Sequence, residues 1–366
     1  MEKYRVGIVG ATGMVGQRFI SLLKDHPWFE VNCVAASARS AGKTYREAVG
    51  ERWAFAWEIP EKVAGMTVVD AADIDEVSKH VDFVFCAVDM KKDEIRALEE
   101  AYAKHEIPVV SNNSACRGIE DVPMVVPEIN ADHLAVIEAQ KKRLGTKNGF
   151  IAVKPNCSIQ SYVPALTPLL DFEPEKVSVC TYQAISGAGK TFKTWPEMVD
   201  NVIPYIGGED EKSENEPLKL WGHVEDGKIV NATLPVISAQ CLRVACSDGH
   251  MAAVSVSFKK KPTIEQIKER WANYETEAQR LELPSAPKPF LQYFEDPSRP
   301  QTRLDRDFQN GFGVSIGRLR EDKLFDYRFV CLSHNTVRGA AATTAALHGR
   351  GRKAGKHIMA FTISSL

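Results

Sequence analysis

A glycine-rich turn between a strand and a helix is the feature of this sequence that most constrains its fold. The β-prone segment Tyr4 to Val9 runs into Gly10, Gly13 and Gly16, and apolar residues at helical spacing follow. A second strand is predicted over Phe29 to Ala36. Strand, glycine turn, helix and strand within about thirty residues predict a dinucleotide-binding unit, in which the turn lets the backbone approach a pyrophosphate.

The spacing of these glycines, Gly-x-x-Gly-x-x-Gly, is a variant of the usual fingerprint, and a tight turn without a ligand stays open as an alternative. The end of the second predicted strand indicates which nucleotide would bind. An NAD site places a carboxylate there for the ribose 2′-hydroxyl, whereas this chain has Ser37, Arg39 and Ser40. Hydroxyls and a guanidinium suit a 2′-phosphate, so the sequence favours NADP.

The strand and helix alternation continues beyond the first unit. Val81–Val88 is a nearly continuous apolar run, typical of a strand covered on both faces. Lys92–Lys104 is predicted as a helix and Ile107–Val110 as a further strand, which ends in the polar loop Ser111–Arg117. These elements predict a doubly wound α/β sheet over residues 1–155, with ligands at the carboxyl ends of its strands.

A second domain of α+β type is predicted over residues 156–334. Its strand signals are Val177–Tyr182, Val230–Val236, Met251–Lys259 and Phe312–Leu319. Asp226-Gly227 predicts a hairpin turn, and a capping box at Thr263 predicts a helix that extends toward Leu281. The proline-rich stretch 284–300 is expected to be an irregular connection.

Cys157 is a candidate nucleophile within Pro155-Asn156-Cys157-Ser158, directly after the short predicted strand Phe150–Val153. A helix that begins here would lower the pKa of the thiol through its dipole. Nothing local to Cys157 excludes a merely structural cysteine.

Charge and composition exclude several classes of protein. The net charge of −2 in 366 residues is the sum of a body with a charge of −8 over residues 1–326 and a basic tail without Asp or Glu. An acidic body argues against nucleic acid as a partner. No apolar run approaches the ~20 residues of a membrane span. The eight scattered cysteines indicate free thiols in a cytoplasmic protein, and only Cys241, Cys246 and His250 come near to metal-ligand spacing, so no metal is expected.

Four motifs in a fixed order carry a family resemblance: Gly10-Ala-Thr-Gly-Met-Val-Gly16, Pro155-Asn-Cys-Ser158, Tyr182-Gln-Ala-Ile-Ser-Gly187 and Arg243-Val-Ala-Cys-Ser-Asp-Gly-His250. Together they resemble aspartate-β-semialdehyde dehydrogenase of the branch found in archaea, fungi and some bacteria. The resemblance implies a Rossmann-type NADP-binding domain and a catalytic and dimerisation domain. It also implies NADPH-dependent reductive dephosphorylation of L-aspartyl-4-phosphate, in the pathway through diaminopimelate to lysine and in those to methionine and threonine.

The resemblance further implies a role for each residue that matches a motif. In catalysis, Cys157 is the nucleophile, His250 the general acid and base, and Gln183 the residue that orients the intermediate. For substrate binding, it implies Arg243 for the α-carboxylate, Arg117 and Lys219 for the phosphate, Glu216 for the amine and Asn156 beside the nucleophile. For the cofactor, it implies Gly10, Thr12, Gly13, Met14, Val15, Ser37, Arg39, Ser40, Ser186, Gly187 and Asn335.

Other functions remain open on the sequence. N-acetylglutamyl-phosphate reductase and archaeal malonyl-CoA reductase share the nucleotide domain, the Cys and the His, although Arg117, Glu216 and Lys219 together favour an amino-bearing acyl phosphate. A catalytically silent NADP-binding homologue would not need both Cys157 and His250. Gly189-Lys190-Thr191 imitates the end of a P-loop, but Ala184 stands where that motif needs glycine.

The resemblance implies a small-molecule substrate and a homo-oligomer, either a dimer or a tetramer. It also implies that residues 335–366 return to the nucleotide domain. The match ends near Ala341, and the basic residues that follow, together with three glycines between Gly349 and Gly355, are atypical of the family. We interpret this tail as an altered reading frame or an added terminus.

Overall fold

Two large sheets organise the chain in the computed structural model, which describes residues 3–284, 286–341, 346–349 and 358–361. The first sheet has six parallel strands in the order β3-β2-β1-β4-β5-β6. They are β1 Tyr4–Val9, β2 Phe29–Ala36, β3 Val69–Asp70, β4 Phe83–Cys86, β5 Val109–Ser111 and β6 Ile151–Val153. This order reverses between β1 and β4, which is the arrangement of a doubly wound nucleotide-binding sheet.

Helices cover both faces of this sheet. They are α1 Met14–Leu23, α2 Tyr45–Val49, α3 Glu61–Ala64, α4 Ile74–Ser78, α5 Lys92–Lys104, α6 Pro127–Asn130 and α7 Ile137–Leu144. Phe19 of α1 packs with Phe83 and Phe85 of β4 in one apolar cluster, whereas Tyr102 of α5 packs with Val84 in another. Alternate residues of one strand therefore face opposite helical layers, as the continuous apolar run predicted.

The predicted elements of this half are largely confirmed. β1, β2 and α5 have the bounds that the sequence indicated, and β4 and β5 are shorter than their apolar runs. The doubly wound α/β class is confirmed.

The second large sheet is mixed, with the order β13-β14-β15-β12-β7-β11-β8. Its strands are β7 Pro174–Gln183, β8 Val202–Ile203, β11 Val236–Val244, β12 His250–Phe258, β13 Leu291–Phe294, β14 Val314–Glu321 and β15 Tyr327–Ser333. A separate small hairpin consists of β9 His223–Glu225 and β10 Lys228–Val230. The helices are α8 Val163–Leu166, α9 Glu209–Leu220, α10 Ile264–Ala272, α11 Glu277–Arg280 and α12 Thr302–Asp305. The α+β prediction is confirmed, and so is the hairpin, in which Asp226 and Gly227 both have positive φ.

Three predictions for this half are wrong in detail. The predicted strand Val230–Val236 is interrupted: Val230 ends β10 and Val236 begins β11, and the residues between them belong to neither strand. Pro235, in this gap, lacks the N–H that a ladder needs. The helix predicted to extend toward Leu281 ends at Ala272, and a second capping box at Thr276 starts α11. The stretch 284–300 contains β13, which pairs in parallel with β14.

The last helical turn of the described chain joins both domains. After β15, a π-helical turn over Val337–Ala341 follows, and the Arg18 side chain of α1 donates a hydrogen bond to the Thr336 hydroxyl (3.0 Å), just before this turn.

Of the predicted atypical tail, only β16 Ala346–Gly349 and β17 Ile358–Phe361 are described, as an antiparallel pair. The basic residues 350–356, and with them most of the glycine segment, lie outside the described residues. Across the described ranges, none of the helices has the length and apolar character needed to cross a bilayer.

Candidate active site

Cys157 and His250 meet where the two domains join. Cys157 follows β6 by four residues, and His250 is the first residue of β12. The Cys157 Sγ lies 3.4 Å from the His250 Nε2. The backbone N–H of Ala184, just after β7, donates to the other ring nitrogen, Nδ1 (3.1 Å), which fixes the ring orientation. A partly exposed thiol therefore faces a fully buried imidazole.

The protonation of this pair differs from the expectation for the thiol. Burial raises the pKa of Cys157, while the nearby Lys154, Arg243 and Arg117 lower it only in part. The expected helix dipole is weak here, because Cys157 leads only into the three-residue 3-10 turn Ile159–Ser161. Burial, and then the charge of Arg243, lower the pKa of His250 well below its usual value. Without ligands, both groups are therefore neutral at pH 7.

Two glycines pack directly against this pair. A Cβ on Gly187 would lie 2.8 Å from the Arg243 Nη1 and 3.0 Å from the His250 Nε2. A Cβ on Gly339 would lie 2.7 Å from the Cys157 Cβ. Any side chain at either position would displace a reacting group, so the backbone itself forms these two walls of the site.

Gln183 and Asn156 are held by a carboxylate that the sequence analysis did not identify. Glu209, at the start of α9, accepts hydrogen bonds from the Asn156 Nδ2 (2.9 Å) and from the Gln183 Nε2 (3.2 Å). Although burial raises the pKa of Glu209, Lys212 lowers it overall. The carboxylate is therefore ionised and orients both amides.

Arg117 and Glu216 form a largely buried ion pair beside Asn156. The Arg117 Nη1 donates to the Glu216 Oε1 (2.8 Å), and the other oxygen of Glu216 accepts the backbone N–H of Asn156 (2.5 Å). The Arg117 Nη2 donates to the carbonyl of Asn112, whereas its buried Nε has no partner among the described residues. These two predicted substrate residues are therefore brought to the residue that precedes the nucleophile.

The remaining two predicted substrate cations, Arg243 and Lys219, differ in how many of their N–H donors are already used by backbone carbonyls. Arg243 is buried beside His250, and its Nη1 donates a hydrogen bond to the Ala184 carbonyl (2.7 Å). The Lys219 ammonium donates to the carbonyls of Arg117, Ile119 and Val122, at 2.7, 2.7 and 3.0 Å. All three of its hydrogens are engaged, so Lys219 fastens the loop after β5 instead of presenting a cation to the cleft. Its contact with the phosphate stays a prediction, and it would require one of these three hydrogen bonds to break.

A cavity of about 560 Å³ lies at the carboxyl ends of β1, β2 and β4. Of the predicted cofactor residues, it is lined by Gly10, Thr12, Gly13, Ser37, Arg39 and Ser40. Gly10 has a φ of +91° and closes on the backbone of Ala87, so the turn itself requires it. A Cβ on Gly13 would have no protein atom closer than 3.5 Å, so packing alone does not require a glycine there. The open space beside Gly13 suits the approach of a pyrophosphate.

The charges of this cavity fit a dinucleotide phosphate. Arg39, Lys43 and Arg52 contribute cations, and Asp89 is the one acid among its lining residues in the described chain. No carboxylate lines the cavity at the end of β2, which agrees with the preference for a 2′-phosphate. The residues present therefore fit NADP.

The other predicted cofactor residues lie in two places. Met14 and Val15 form the first turn of α1, directly after Gly13. Ser186, Gly187 and Asn335 meet near His250, where the Asn335 amide donates to the Ser186 hydroxyl (2.9 Å) and its Oδ1 accepts the N–H of Gly249 (2.8 Å). Within the described ranges, no group of three or more metal-binding side chains is arranged around a cation.

Sequence reasoning missed Lys43, Arg52, Lys154 and Glu209. Lys154 and Lys43 stand close to motifs that were identified, and this proximity was the available signal. Arg52 and Glu209 reach their sites only through the fold. The P-loop imitation is not a P-loop, because the chain after β7 forms the 3-10 turn Ile185–Ala188, packed against His250 through Gly187.

Comparisons with known proteins agree with this geometry. The family model for the semialdehyde dehydrogenase NAD binding domain matches residues 5–137, and the one for the semialdehyde dehydrogenase dimerisation domain matches residues 166–338. An aspartate-semialdehyde dehydrogenase of Archaeoglobus fulgidus is 42% identical over 344 residues, 93% of this chain and 96% of that protein. One of Schizosaccharomyces pombe is 44% identical over 343 residues, 92% and 94% of the two chains. The crystal structure of aspartate semialdehyde dehydrogenase with NADP from Candida albicans superposes with a TM-score of 0.83 at 37% identity, covering 93% and 95%.

Proposed function

The chain belongs to the aspartate-semialdehyde dehydrogenase family, and we propose that the cleft between Cys157 and His250 is its catalytic centre. The enzyme catalyses the NADPH-dependent reductive dephosphorylation of L-aspartyl-4-phosphate to L-aspartate 4-semialdehyde, a step toward lysine, methionine and threonine. The similarity to aspartate-semialdehyde dehydrogenases over 93% of the chain favours this reaction over the related acyl reductases.

The observation that carries the assignment of the centre is the 3.4 Å separation of the Cys157 Sγ and the His250 Nε2. The Cys157 thiol gives its proton to the His250 imidazole as its sulfur attacks the acyl phosphate. This attack forms a carbon–sulfur bond and releases phosphate, which leaves a thioester on Cys157. Bound NADPH supplies the hydride that reduces this thioester. Covalent catalysis thus divides one difficult displacement into two easier steps.

His250 handles the proton of the thiohemiacetal. Its Nε2 lies within reach of any oxygen on the carbon attached to Sγ, and the Ala184 N–H keeps the ring in place. Protonation of that oxygen accompanies hydride addition, and its deprotonation allows the thiolate to leave as the aldehyde forms. Burial lowers the pKa of the His250 imidazole, so it is neutral at pH 7 and can take up the thiol proton during the attack. The imidazolium then gives this proton to the oxygen as the hydride adds.

The surrounding side chains hold the substrate. Arg243 extends from β11 to the Ala184 carbonyl and interacts electrostatically with Cys157, and its planar guanidinium suits the α-carboxylate. Glu216, already paired with Arg117, presents a carboxylate for the amine. Gln183 and Asn156, oriented by Glu209, offer amide groups to the intermediate.

Steady-state kinetics with substitutions test this proposal. NADP reduction by the wild type requires aspartate semialdehyde together with phosphate, and Cys157→Ala lowers kcat by several orders of magnitude. Cys180→Ala, which removes a partly exposed thiol from β7, serves as the matched control and keeps the activity. Activity without phosphate, or an active Cys157→Ala enzyme, would contradict the assignment.

We also propose that the enzyme is a homo-oligomer formed through the second sheet. One face of this sheet is buried, while on the other side and along the β8–β11 edge large apolar side chains stay exposed, including Tyr182, Val202, Leu234 and Val236. The family model that covers this half is described as a dimerisation domain. Light scattering should give a dimer or tetramer, and Val236→Asp should shift it toward monomer. An unchanged mass for that variant would contradict this surface.

The domain limits and the location of the protein complete the proposal. Residues 1–155 form the NADP-binding domain and 156–334 the catalytic domain; the contact between Arg18 and Thr336 supports a return of the segment from 335 onward to the first domain. The eight free cysteines suit a cytoplasmic protein.

A further inference from the structure

We propose that Lys154 binds the phosphate group of the substrate, as the second cation beside Arg117. This inference rests on the proposed function, because it concerns the leaving group of that reaction. It deepens the function by assigning to Lys154 a contact that the family resemblance assigns to Lys219.

The Lys154 ammonium is buried without a full set of acceptors. Its residue is 4% exposed, and among the described residues the ammonium donates only to the carbonyl of Pro155 (2.8 Å) and has no carboxylate within ion-pair distance. Two of its three hydrogens therefore lack a protein acceptor. A buried cation in this state is unfavourable unless an anion completes its surroundings.

Lys219 provides the internal comparison. It is buried to a similar extent, but each of its three hydrogens meets a backbone carbonyl. An anion could reach the Lys219 ammonium only by breaking one of these bonds. The two buried lysines therefore have different roles. Lys219 holds the loop that carries Arg117, whereas Lys154 keeps two N–H donors available for an anion.

The position of Lys154 suits a group that leaves from Cys157. It stands three residues before the nucleophile, and its backbone N–H donates to the Ser111 carbonyl at the end of β5 (3.1 Å). The loop after β5 carries Arg117, so both cations stand at adjacent strand ends of the first sheet. Lys154 and Arg117 are both close enough to Cys157 to lower the pKa of its thiol, so a phosphate released from an acyl group on Sγ would leave beside two cations.

The electrostatics of the free enzyme agree with an anion site. Burial, and then the charge of Arg117, lower the pKa of Lys154 to about 7, while Cys157, Glu216 and Glu209 raise it. A bound dianion would favour the charged ammonium, so binding of the dianion and protonation of Lys154 are linked. Anion affinity should accordingly fall as the pH rises above about 7.

Initial-rate kinetics of NADP reduction separate the outcomes. Lys154→Gln should raise the KM for phosphate roughly ten- to hundredfold, with the KM for aspartate semialdehyde changed less than threefold. Lys219→Gln should raise the KM for phosphate less than Lys154→Gln does. If Lys154→Gln leaves the KM for phosphate unchanged, or raises the KM for aspartate semialdehyde instead, the inference is overturned. A wild type that does not need phosphate would instead contradict the proposed function itself.

Sulfate, which does not titrate in this range, gives a second readout that does not require the glutamine variant to fold. As a competitive inhibitor against phosphate, it should bind the wild type about tenfold more weakly at pH 8 than at pH 6. Lys154→Arg, which stays charged throughout, should bind sulfate nearly equally at both. The same pH dependence in both enzymes would also overturn the inference.

Discussion

Arg338 and Glu128 form an ion pair that is buried from solvent, with Nη1–Oε1 and Nη2–Oε2 distances of 3.2 Å. Both side chains are 1% exposed. Arg338 also donates to the Phe312 carbonyl (3.0 Å), and its guanidinium lies 4.4 Å from the centre of the Phe290 ring. The pair therefore ties the turn after β15 to α6 of the first domain and holds the backbone that reaches Cys157 through Gly339.

Removal of one partner of this pair should destabilise the protein strongly. We expect Arg338→Met to lower the free energy of unfolding by about 3–5 kcal/mol, because Glu128 is left buried and unpaired. Arg338→Met with Glu128→Gln should recover part of that loss. Urea denaturation measures both, and Arg96→Met, which breaks the exposed pair with Glu100, should cost less than about 1 kcal/mol. If Arg338→Met and Arg96→Met lowered the free energy of unfolding equally, the buried pair would contribute no more to stability than the exposed one, which would contradict this prediction.

Gly339→Ala should impair catalysis more than binding. Its Cβ would lie 2.7 Å from that of Cys157, so the nucleophile must move. Since small displacements of reacting groups reduce rates strongly, we expect kcat to fall by roughly a hundredfold while the KM for NADP stays near that of the wild type. Gly65→Ala, at an exposed glycine with open space around it, should leave kcat unchanged. A Gly339→Ala enzyme with wild-type kcat would show that Cys157 tolerates this displacement.

His26 should make stability fall in acid. Burial, and then Lys3, lower its pKa from 6.5 to about 4, and its Nδ1 accepts the N–H groups of Trp28 and Phe29. The unfolded chain binds the proton more readily, so this contribution is complete above pH 6.5 and is lost as the pH falls to about 4, by about 3 kcal/mol. His26→Asn keeps an acceptor but cannot titrate.

Urea unfolding at pH 7 and pH 4 tests this behaviour. His26→Asn should lose less stability between the two values than the wild type does, whatever its stability at pH 7. His105→Asn, at an exposed histidine, should follow the wild type. A His26→Asn protein with the wild-type difference between pH 7 and pH 4 would contradict the role of His26.

Local sequence patterns were sufficient for several elements of the first domain and for fewer of the second. β1, β2 and α5 each follow from a continuous pattern and neighbouring turn residues, so their bounds could be predicted. In the second sheet, β13 lies in a proline-rich stretch and becomes a strand only because β14 pairs beside it. Pairing between distant segments is decided by the whole fold, and no local pattern reports it.

The site shows the same division. Motifs identified Cys157 and His250, which the structure brings to 3.4 Å, but not the state of the thiol. The pKa of Cys157 depends on how deeply the completed fold buries it, and burial outweighs the neighbouring cations. Which of Lys154 and Lys219 keeps free donors depends on where the carbonyls of residues 117–122 come to lie. These are properties of three-dimensional packing, so sequence spacing does not contain them.

The preference for NADP should depend on the cations at the end of β2. Arg39 and Lys43 line the cofactor cavity, and the segment between them contains no acid. We expect Arg39→Gln and Lys43→Gln each to raise the KM for NADP roughly tenfold and to change the KM for NAD by less than twofold, because only NADP carries the 2′-phosphate. Lys62→Gln, at an exposed lysine paired with Glu30 outside the cavity, is the matched control.

A carboxylate introduced at the same place should act in the opposite direction. Ser37 lies directly after β2, where NAD-binding folds of this type carry an acid for the ribose 2′-hydroxyl. Ser37→Asp should therefore weaken NADP by repulsion from the 2′-phosphate and strengthen NAD through a hydrogen bond. The ratio of kcat/KM for the two cofactors measures both effects together, and we expect it to move toward NAD by at least a hundredfold. If Ser37→Asp weakened both cofactors equally, the ribose would lie elsewhere and the cations of the cavity would bind only the pyrophosphate.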